Sequence, residues 1–407
     1  MAISLILFED NGFVDLLPMV FWRPVFELPV GRKSVMDRMA QRLGLPLTGV
    51  WTRDWLATVA AQRCGAPANQ AANGGTVLVN GRWLCGDSET FPDDPCVGVI
   101  EDEIAYIVCD DDLAKRLSWK DMLDAQRLRE SLDGVERRPV GGELFRYPWE
   151  IVGDLSNLLE GDWKSTDAVI ESEVEARMET QDHIHIGERT TVHPTAIINA
   201  EAGSIYISHD VRIGAYTVID GPAYIGPGTH IHPYTWLHGG NAIGAVCRMA
   251  GELHGCVISA YTNKQHAGFL GHAYVGSWVN LGAGCSNSDL KNTYGKIKVP
   301  INGTDVDTGT QFFGAIIGDH AKLGINATIP SGAVIGLAAS VASSGMLPKY
   351  LPSFSWVTQE RIRAGDPLRL LDAACAVMAR RDVDMTDDEV ELFSDLGTRV
   401  GSFEQGH

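Results

Sequence analysis

The sequence predicts an α/β domain at the N-terminus, a left-handed parallel β-helix behind it and a short helical tail. Aliphatic residues recur at every sixth position through most of residues 184–346. Strand-like and helix-like patterns alternate in residues 1–165, and helical spacing returns in the tail. We therefore divide the chain into 1–165, a junction at 166–183, the β-helix at 184–346 and the tail at 347–407.

The six-residue repeat is the strongest of these signals. Neither an amphipathic helix, with a period of about 3.6, nor an alternating strand, with a period of about 2, produces it. It is typical of a solenoid in which each hexad supplies one short strand and one corner, and three hexads close a coil. The two longest runs are Ile207, Ile213, Ile219, Ile225, Ile231, Leu237 and Ile243, then Ile317, Leu323, Ile329, Ile335 and Val341. Hexad solenoids wind left-handed, an exception to the rule for parallel connections.

Two segments, 245–268 and 286–316, interrupt the register of the hexads. Insertions in a solenoid are extruded as loops, and such loops commonly build binding and catalytic sites. We therefore expect both segments to leave the prism and to flank the functional site.

Outside the repeat, the patterns are those of an α/β domain and of two terminal helices. Apolar strands are predicted at 3–8, 76–79 and 104–109, and a helix at 34–43. Strands that alternate with helices favour an α/β sheet. In the tail, helical spacing across 358–400 predicts two helices that pack against the solenoid.

Composition limits the partners of the chain. With 407 residues and a net charge of −19, it has no basic run of the kind that binds nucleic acid or an anionic membrane. The sequence contains no apolar stretch long enough to span a membrane and no basic segment before its apolar N-terminus. Its eight cysteines lack a C-x-x-C pair, which favours cytoplasmic thiols. Any phosphate-handling site must therefore concentrate positive charge locally.

Two neighbouring motifs carry the functional signal. Asn263-Lys-Gln-His266-Ala-Gly-Phe-Leu-Gly271 is followed by Val279-Asn280-Leu-Gly-Ala-Gly284. Together they resemble the acetyltransferase half of the bacterial bifunctional enzymes that acetylate glucosamine-1-phosphate and couple it to UTP, the GlmU-like family. The resemblance implies that His266 is the general base and that Asn280 contacts the sugar. It further implies that the backbone at Ala283 and Gly284 binds acetyl-CoA or another acyl-CoA.

The chemistry of these residue types suits acyl transfer to an amine. An ammonium group must lose a proton before it attacks, and imidazole, with a reference pKa near 6.5, accepts that proton at neutral pH. Glu252 falls on a glutamate of the family and is expected to orient the ring of His266. A backbone N–H in the corner formed by 282–284 is expected to stabilise the oxyanion of the attacked thioester.

Several positions depart from the family pattern. His254 replaces the lysine that binds the sugar phosphate, and Phe269 replaces a tyrosine. Lys291 and Lys296, or Lys298 beside them, are expected to supply a phosphate contact instead. These departures keep acyl transfer as the predicted chemistry and leave the acceptor sugar and the acyl group open.

The N-terminal domain carries a second resemblance. The stretch from Leu16 to Gly31, which reads Leu-Leu-Pro-Met-Val-Phe-Trp-Arg-Pro-Val-Phe-Glu-Leu-Pro-Val-Gly, is similar to that of GlmU-like sugar nucleotidyltransferases. It implies phosphate contacts by Arg23 and Arg32. The family's G-x-G-T-R loop is replaced by Glu9-Asp10-Asn11-Gly12, and Arg82 stands where the aspartate that binds Mg²⁺ is expected. Because arginine does not ligate metals, we do not expect Mg²⁺-dependent nucleotidyl transfer in its usual form.

Four functions remain open at this point. The leading hypothesis is a homotrimeric acyltransferase acting on an amino-sugar phosphate or nucleotide sugar, since a flat-sided prism closes readily around a threefold axis. The second is nucleotidyl transfer by the N-terminal domain, with the solenoid as a trimer scaffold. The third is a zinc site of the γ-carbonic anhydrase type, although His266 and His272 have a different spacing and no metal ligands are assigned. The fourth is a non-catalytic scaffold that binds nucleotide sugars.

Overall fold

The computed structural model describes residues 4–86 and 90–404. The chain forms two compact units. The N-terminal unit contains residues up to Pro29, Lys33–Tyr147 and Thr386–Phe393, and the solenoid unit contains Val30–Arg32, Pro148–Met385 and the residues from Ser394. In the described part of the chain no helix is long and apolar enough to cross a membrane. All eight cysteines are free thiols.

The N-terminal unit is built on a six-stranded mixed sheet. From edge to edge its strands are Leu47–Trp51, Ser4–Phe8, Thr76–Asn80, Glu103–Val108, Cys96–Ile100 and Glu136–Pro139. The first three run parallel, and Glu103–Val108 runs antiparallel to both of its neighbours. The central strands are almost fully buried, as expected for a sheet covered on both faces. The predicted α/β domain is confirmed.

Helices and short strands complete this unit. The α-helices are Val35–Leu43, Ala57–Cys64, Asp111–Arg116, Trp119–Met122 and Ala125–Ser131, and the 3₁₀ helices are Asn11–Leu16, Val25–Glu27 and Asp54–Leu56. The short strands of this part of the chain are Pro29–Val30, Lys33–Ser34, Trp83–Leu84 and Glu143–Leu144. Helix Val35–Leu43 begins where predicted because the Ser34 hydroxyl accepts a hydrogen bond from the Asp37 N–H at 3.1 Å.

The solenoid unit consists of three parallel ladders, which we name faces A, B and C. Face A contains Ile184–Ile186, Ile205–Ile207, Ala223–Ile225, Asn241–Ile243, Val257–Ile258, Tyr274–Val275, Ala315–Ile317, Ala333–Ile335 and Tyr350–Leu351. Face B contains Thr191–Val192, Arg212–Ile213, His230–Ile231, Arg248–Met249, Asn263–Lys264, Asn280–Leu281, Lys322–Leu323, Ser340–Val341 and Ser355–Val357, with Ile362–Ala364 antiparallel at its end. Face C contains Arg177–Glu179, Ile197–Asn199, Val218–Asp220, Trp236–Leu237, Glu252–His254 and Phe269–Gly271, then Ser286–Asn287, Ala327–Ile329 and Gly345–Met346.

One continuous core runs through the solenoid. The strands point aliphatic side chains inward, and the residues stacked on face A include Ile186, Ile207, Ile225, Ile243, Ile258, Val275, Ile317 and Ile335. Burial of each such side chain contributes roughly 1.5–3 kcal/mol relative to exposure. The predicted hexad solenoid is therefore confirmed, and its ladders extend from Arg177–Glu179 to Ser355–Val357.

One of the two predicted interruptions is wrong. Residues 245–268 stay in the prism, and their strands pair in register on all three faces. The period is lost because corners are shortened. Inward residues lie four positions apart at Met249 and Leu253, and five apart at Leu253 and Ile258 and again at Leu270 and Val275. A shortened corner removes residues without removing a strand, so a fixed period of six misses it.

The other predicted interruption is confirmed. After Ser286–Asn287 the chain leaves the prism, forms an antiparallel hairpin of Lys298–Ile301 and Thr304–Asp307, and returns at Ala315–Ile317. The next inward residue of face A after Val275 is therefore Ile317. This long insertion follows the coil that carries Asn280.

Helices flank the solenoid. Pro148–Gly153 and Leu155–Asp162 lie on face A, where the Glu160 carboxylate accepts hydrogen bonds from the Ser204 N–H at 2.6 Å and its hydroxyl at 2.8 Å. The remaining helices are the 3₁₀ turns Ser165–Asp167, Gln181–His183 and Val400–Ser402 and the tail helices Pro367–Ala379 and Asp387–Arg399. Both tail helices were predicted, but the start of the second belongs to the N-terminal unit, where Glu389 pairs with Arg63 at 2.7 Å.

Candidate functional site

His266 lies in the corner between faces B and C, within residues 265–268. Its side chain is exposed and makes no hydrogen bond with any described residue. The equivalent corner of the next coil contains Ala283 and Gly284, and the Gly284 N–H donates a hydrogen bond to the Ala267 carbonyl at 3.2 Å. The predicted base and the predicted acyl-CoA contact are thus on adjacent coils.

The backbone N–H groups of Gly282, Ala283 and Gly284 differ in their hydrogen bonds. The Gly282 N–H donates to Leu323 at 2.9 Å and the Gly284 N–H to Ala267, so both donors are occupied. Among the described residues, the Ala283 N–H has no acceptor. Of the three donors predicted for an oxyanion, only that of Ala283 is therefore available.

A buried lysine holds the corner that carries His266. Lys264 occupies an inward position of face B, between Met249 and Leu281, and is 1% exposed. Its ammonium group donates to the carbonyls of Ala250 at 3.0 Å, His266 at 3.1 Å and Gly268 at 2.6 Å. Burial lowers the pKa of Lys264 to about 8. The backbone on both sides of the proposed base is fixed by this one group.

Two glycines permit the tight packing of these corners. Gly251 lies in the most shortened corner, with a φ of +88°, and a Cβ there would lie 2.6 Å from the Gly268 carbonyl oxygen. Gly268 has a φ of +137°, and its Cβ would lie 2.1 Å from the Cys285 carbonyl oxygen. A larger residue at either position would displace the corner that carries His266.

Asn280 projects from face B and is exposed. It is in register with Asn263 on one side and Lys322 on the other. Adjacent strands are about 4.8 Å apart, so the Asn263 and Asn280 amides form a short polar row beside the corner of His266. Such amides can bind sugar hydroxyls as donors or acceptors.

Glu252 has a different partner from the one predicted. Its carboxylate accepts a hydrogen bond from His238 Nε2 at 3.0 Å, and its strand pairs with that of Phe269. Among the described residues it makes no side-chain hydrogen bond to His266. The register explains this difference, because Glu252 is a strand residue of face C whereas His266 is in the corner that precedes face C.

His254 lies in a stack of histidines on face C. The ring centroid of His254 is 5.1 Å from that of His238 and 4.7 Å from that of His272. His272 Nδ1 is in turn 2.8 Å from the Asp289 carboxylate. Burial, followed by the charges of His272 and His238, lowers the pKa of His254. His272 and His266 lie at opposite ends of strand Phe269–Gly271, which separates them in the coil.

The remaining predicted contacts are dispersed. Phe269 is half-buried, and its N–H donates to the Ser286 hydroxyl at 3.2 Å. Lys291 and Lys296 lie in the extruded insertion, where the Lys291 ammonium donates to the Lys296 carbonyl. Among the described residues, neither lysine makes a hydrogen bond or ion pair with the His266 corner, so their phosphate role stays a prediction.

Arg23 and Arg32 belong to different units. Arg23 lies in the N-terminal unit, where its charge lowers the pKa of Glu27, although burial raises that pKa overall. Arg32 lies in the solenoid unit, donates to Asp167 at 3.0 Å and stacks over Tyr206 at 4.3 Å. Each arginine therefore has a neighbouring carboxylate, and the phosphate role of both stays a prediction.

The carboxylates that replace the phosphate-binding loop are neutralised by arginines. Glu9 is 1% exposed and accepts hydrogen bonds from Arg53 Nε at 3.1 Å and Nη2 at 2.9 Å. Asp10 accepts from Arg82, which also contacts Glu103. Asp10, Arg82 and Glu103 line a cavity of about 630 Å³. Within residues 4–86 and 90–404, no group of three His, Cys, Asp or Glu side chains could hold a metal ion.

Comparison with known proteins shows what parts of the chain resemble. Residues 5–168 match the family described as sugar nucleotidyl transferase. A bifunctional sugar-1-phosphate nucleotidylyltransferase/acetyltransferase from Sulfurisphaera tokodaii is 34% identical over 145 residues, which are 34% of this chain and 35% of that protein. These matches support a likeness to GlmU-type bifunctional proteins. The bifunctional protein GlmU of a Cyanothece strain is 26% identical over 202 residues, 48% of this chain and 39% of that protein.

These alignments span a little over a third of the length of the curated GlmU-like relatives. Among solved structures, the UDP-N-acetylglucosamine acyltransferase of Campylobacter jejuni is similar over 56% of this chain and 82% of its own. That similarity has 14% identity and a TM-score of 0.26, too low to bear on function. The GlmU-like resemblance predicted from the motifs is confirmed by the family match and by the relatives.

Sequence reasoning missed Lys264, although the signal was present. Ile258, Lys264 and Leu270 are spaced by six, so the lysine occupies a position that the repeat reserves for the core. A charge at such a position needs dedicated acceptors, and the three carbonyls supply them.

We expect Lys264→Met to lower the free energy of unfolding by about 1–3 kcal/mol, because it leaves buried carbonyls without a donor. Chemical denaturation followed by circular dichroism measures the change. Lys298→Met, which removes an exposed lysine of the insertion, is the matched control. Equal stability of the two variants would show that the three carbonyl contacts of Lys264 contribute nothing.

We expect an NMR titration to give a pKa below 6.5 for His254. Burial is the largest cause, His272 and His238 add to it, and Asp289 and Glu252 oppose it. Because the folded state then binds fewer protons than the unfolded state, stability is lost as pH falls below about 6.5. His254→Asn should reduce this loss, and a pKa at or above 6.5 would contradict the assignment.

Proposed function

We propose that this protein is an acyltransferase that moves an acyl group from acyl-CoA to the amino group of a sugar phosphate or nucleotide sugar. The observation that carries the proposal is the pairing of two corners. His266 is exposed on one coil. The motif expected to contact acyl-CoA, Ala283 and Gly284, lies on the next coil, where the Gly284 N–H donates a hydrogen bond to the carbonyl of Ala267, the residue after His266. The names of the GlmU-like relatives, which combine acetyl transfer with sugar-1-phosphates, support the same class of reaction.

The proposed reaction assigns one step to each group. The His266 imidazole takes a proton from the acceptor ammonium, and the resulting amine attacks the thioester carbonyl. The oxyanion that forms accepts a hydrogen bond from the Ala283 N–H. When it collapses, the carbon–sulfur bond breaks, the CoA thiolate takes the proton held by the imidazolium, and the amide nitrogen loses its second proton to solvent. Lys264 acts as a positioning residue through the carbonyls around His266.

The acceptor is proposed to lie along faces B and C. Asn280 and Asn263 offer amides for sugar hydroxyls, and His254 and Phe269 lie on the adjoining face C. Burial, followed by the charges of His272 and His238, lowers the pKa of His254, so this ring offers a hydrogen bond and a flat surface more than a fixed charge. The strong phosphate contact must therefore come from elsewhere in the chain.

A homotrimer is part of the proposal. Large apolar side chains are exposed at the corner between faces B and C, with Tyr216 57%, Tyr234 75% and Ile325 64% exposed. Burial of such a row in a subunit interface is favourable, and a three-sided prism allows cyclic closure. The corner of His266 would then lie in the groove between two solenoids.

We expect His266→Ala to lower kcat for CoA release by about 10²- to 10⁴-fold, because it removes the general base. His193→Ala, at an exposed corner position between the same faces, is the matched control and should keep full activity. Both variants should retain the wild-type mass in light scattering, expected at three times 44.1 kDa. Unchanged turnover of the His266 variant with an active amino-sugar acceptor would exclude this mechanism.

A second candidate function belongs to the N-terminal unit. The family match over 5–168 favours binding of a sugar nucleotide in the cavity beside Asp10. Arg82 contacts both Asp10 and Glu103 and so competes with any cation for these carboxylates. We therefore propose binding without metal-dependent nucleotidyl transfer.

Incubation with a nucleoside triphosphate, Mg²⁺ and sugar-1-phosphates should release no pyrophosphate above background. The physical reason is the neutralisation of Asp10 by Arg82. Release that is lost in Asp10→Asn and retained in Asp112→Asn, a change in an exposed carboxylate, would establish transfer and contradict the prediction.

A further inference from the structure

A row of basic and polar side chains runs along the outside of face B. Arg212, His230 and Arg248 are directly in register on three adjacent strands, and Asn263 and Asn280 continue the same row. Neighbouring members are separated by about 4.8 Å. Arg212 and Arg248 carry like charges about 10 Å apart on either side of the His230 strand, and their repulsion opposes folding.

A third arginine joins the row from the tail. Arg381 follows helix Pro367–Ala379, and its Nη2 donates to the Asn263 side-chain oxygen at 3.0 Å. Its Nε is buried and has no hydrogen-bond partner among the described residues. The position next to Asn263 therefore combines a fixed guanidinium with an unused donor.

No carboxylate of the described residues pairs with this row. Arg212 and His230 make no side-chain hydrogen bond or ion pair with described residues, and Arg248 uses Nη1 on three backbone carbonyls. Burial, then the charges of Arg381 and Arg212, lower the pKa of Arg248. Burial, then neighbouring cations led by Arg248, lower the pKa of His230 to about 4. In a chain with a net charge of −19, Arg212, Arg248 and Arg381 thus form no ion pair with any described carboxylate.

We propose that Arg212, Arg248 and Arg381 bind a diphosphate group of a nucleotide-linked substrate. Guanidinium groups suit this role, since their planar donors form paired hydrogen bonds with phosphate oxygens. The row offers two arginines about 10 Å apart on face B, with Arg381 beside them. A diphosphate neutralises three cations at once and removes the repulsion between them.

The row also reaches the proposed acyl-transfer corner. Arg248 and His266 both lower the pKa of His232 electrostatically, so both lie near this one side chain. Asn280 is two strands from Arg248, about 10 Å along the row. A sugar bound at Asn280 would place a linked diphosphate at the arginines. The choice of substrate rests on the proposed function, whereas the binding of diphosphate does not.

Calorimetric titration of the full-length protein with inorganic pyrophosphate at low salt tests the site. We expect Arg212→Gln and Arg381→Gln each to weaken binding about tenfold, and the double variant more. These positions are preferred to Arg248, whose carbonyl contacts make it part of the fold. Arg189→Gln is the matched control, because this exposed arginine of the same solenoid is already paired with Asp210 at 2.7 Å.

Titrations with UDP and with CoA identify the source of the diphosphate. Weaker binding of UDP in the double variant assigns the row to a nucleotide sugar, and weaker binding of CoA assigns it to the acyl donor. Pyrophosphate that fails to bind the wild type, or binds the double variant as tightly, overturns the proposal. His266→Ala should bind pyrophosphate normally, so a failure of the acyl-transfer mechanism is distinguishable from a failure of this site.

Discussion

The inward stack of aliphatic side chains is the constraint on which the rest of the solenoid depends. Each coil must deliver three side chains to the prism axis and must keep its backbone paired with the coils on either side. Variation is therefore confined to the corners and to the outward positions of the strands. The candidate site obeys this rule, since His266 and Ala283 are in corners and Asn280 is an outward residue of face B.

Lys264 is an exception to that constraint, and its environment shows how a charge is accommodated in an apolar stack. Three carbonyl oxygens surround the ammonium group, and two of them belong to the corner of His266. A buried charge requires such partners. The same group that would otherwise destabilise the core thereby fixes the backbone of the functional corner, which links stability of the fold directly to geometry of the site.

The sequence was sufficient where a period was preserved. The hexads, the α/β sheet and both tail helices follow from regular spacing of apolar residues, and the GlmU-like motifs identified the His266 corner. The prediction from spacing was wrong at 245–268. The corner between Met249 and Leu253 is shortened, which breaks the six-residue period while the ladders continue. The partner of Glu252 could not be predicted either, since it depends on which strand positions the register places side by side. Arg381 lies far from face B in sequence, so only tertiary structure shows that it joins the row of basic and polar side chains.

The last helix, Asp387–Arg399, follows the solenoid in the sequence, but its first residues belong to the N-terminal unit. Phe393 packs edge-on against Trp22 at 5.7 Å, and Glu389 pairs with Arg63, so the N-terminal unit is completed by residues near the other end of the chain. During synthesis, this unit therefore remains without part of its surface until the solenoid has left the ribosome. A fragment cut at residue 165 would expose the same surface permanently. The two units alternate along the sequence, and both are complete only once the last helix has been synthesised.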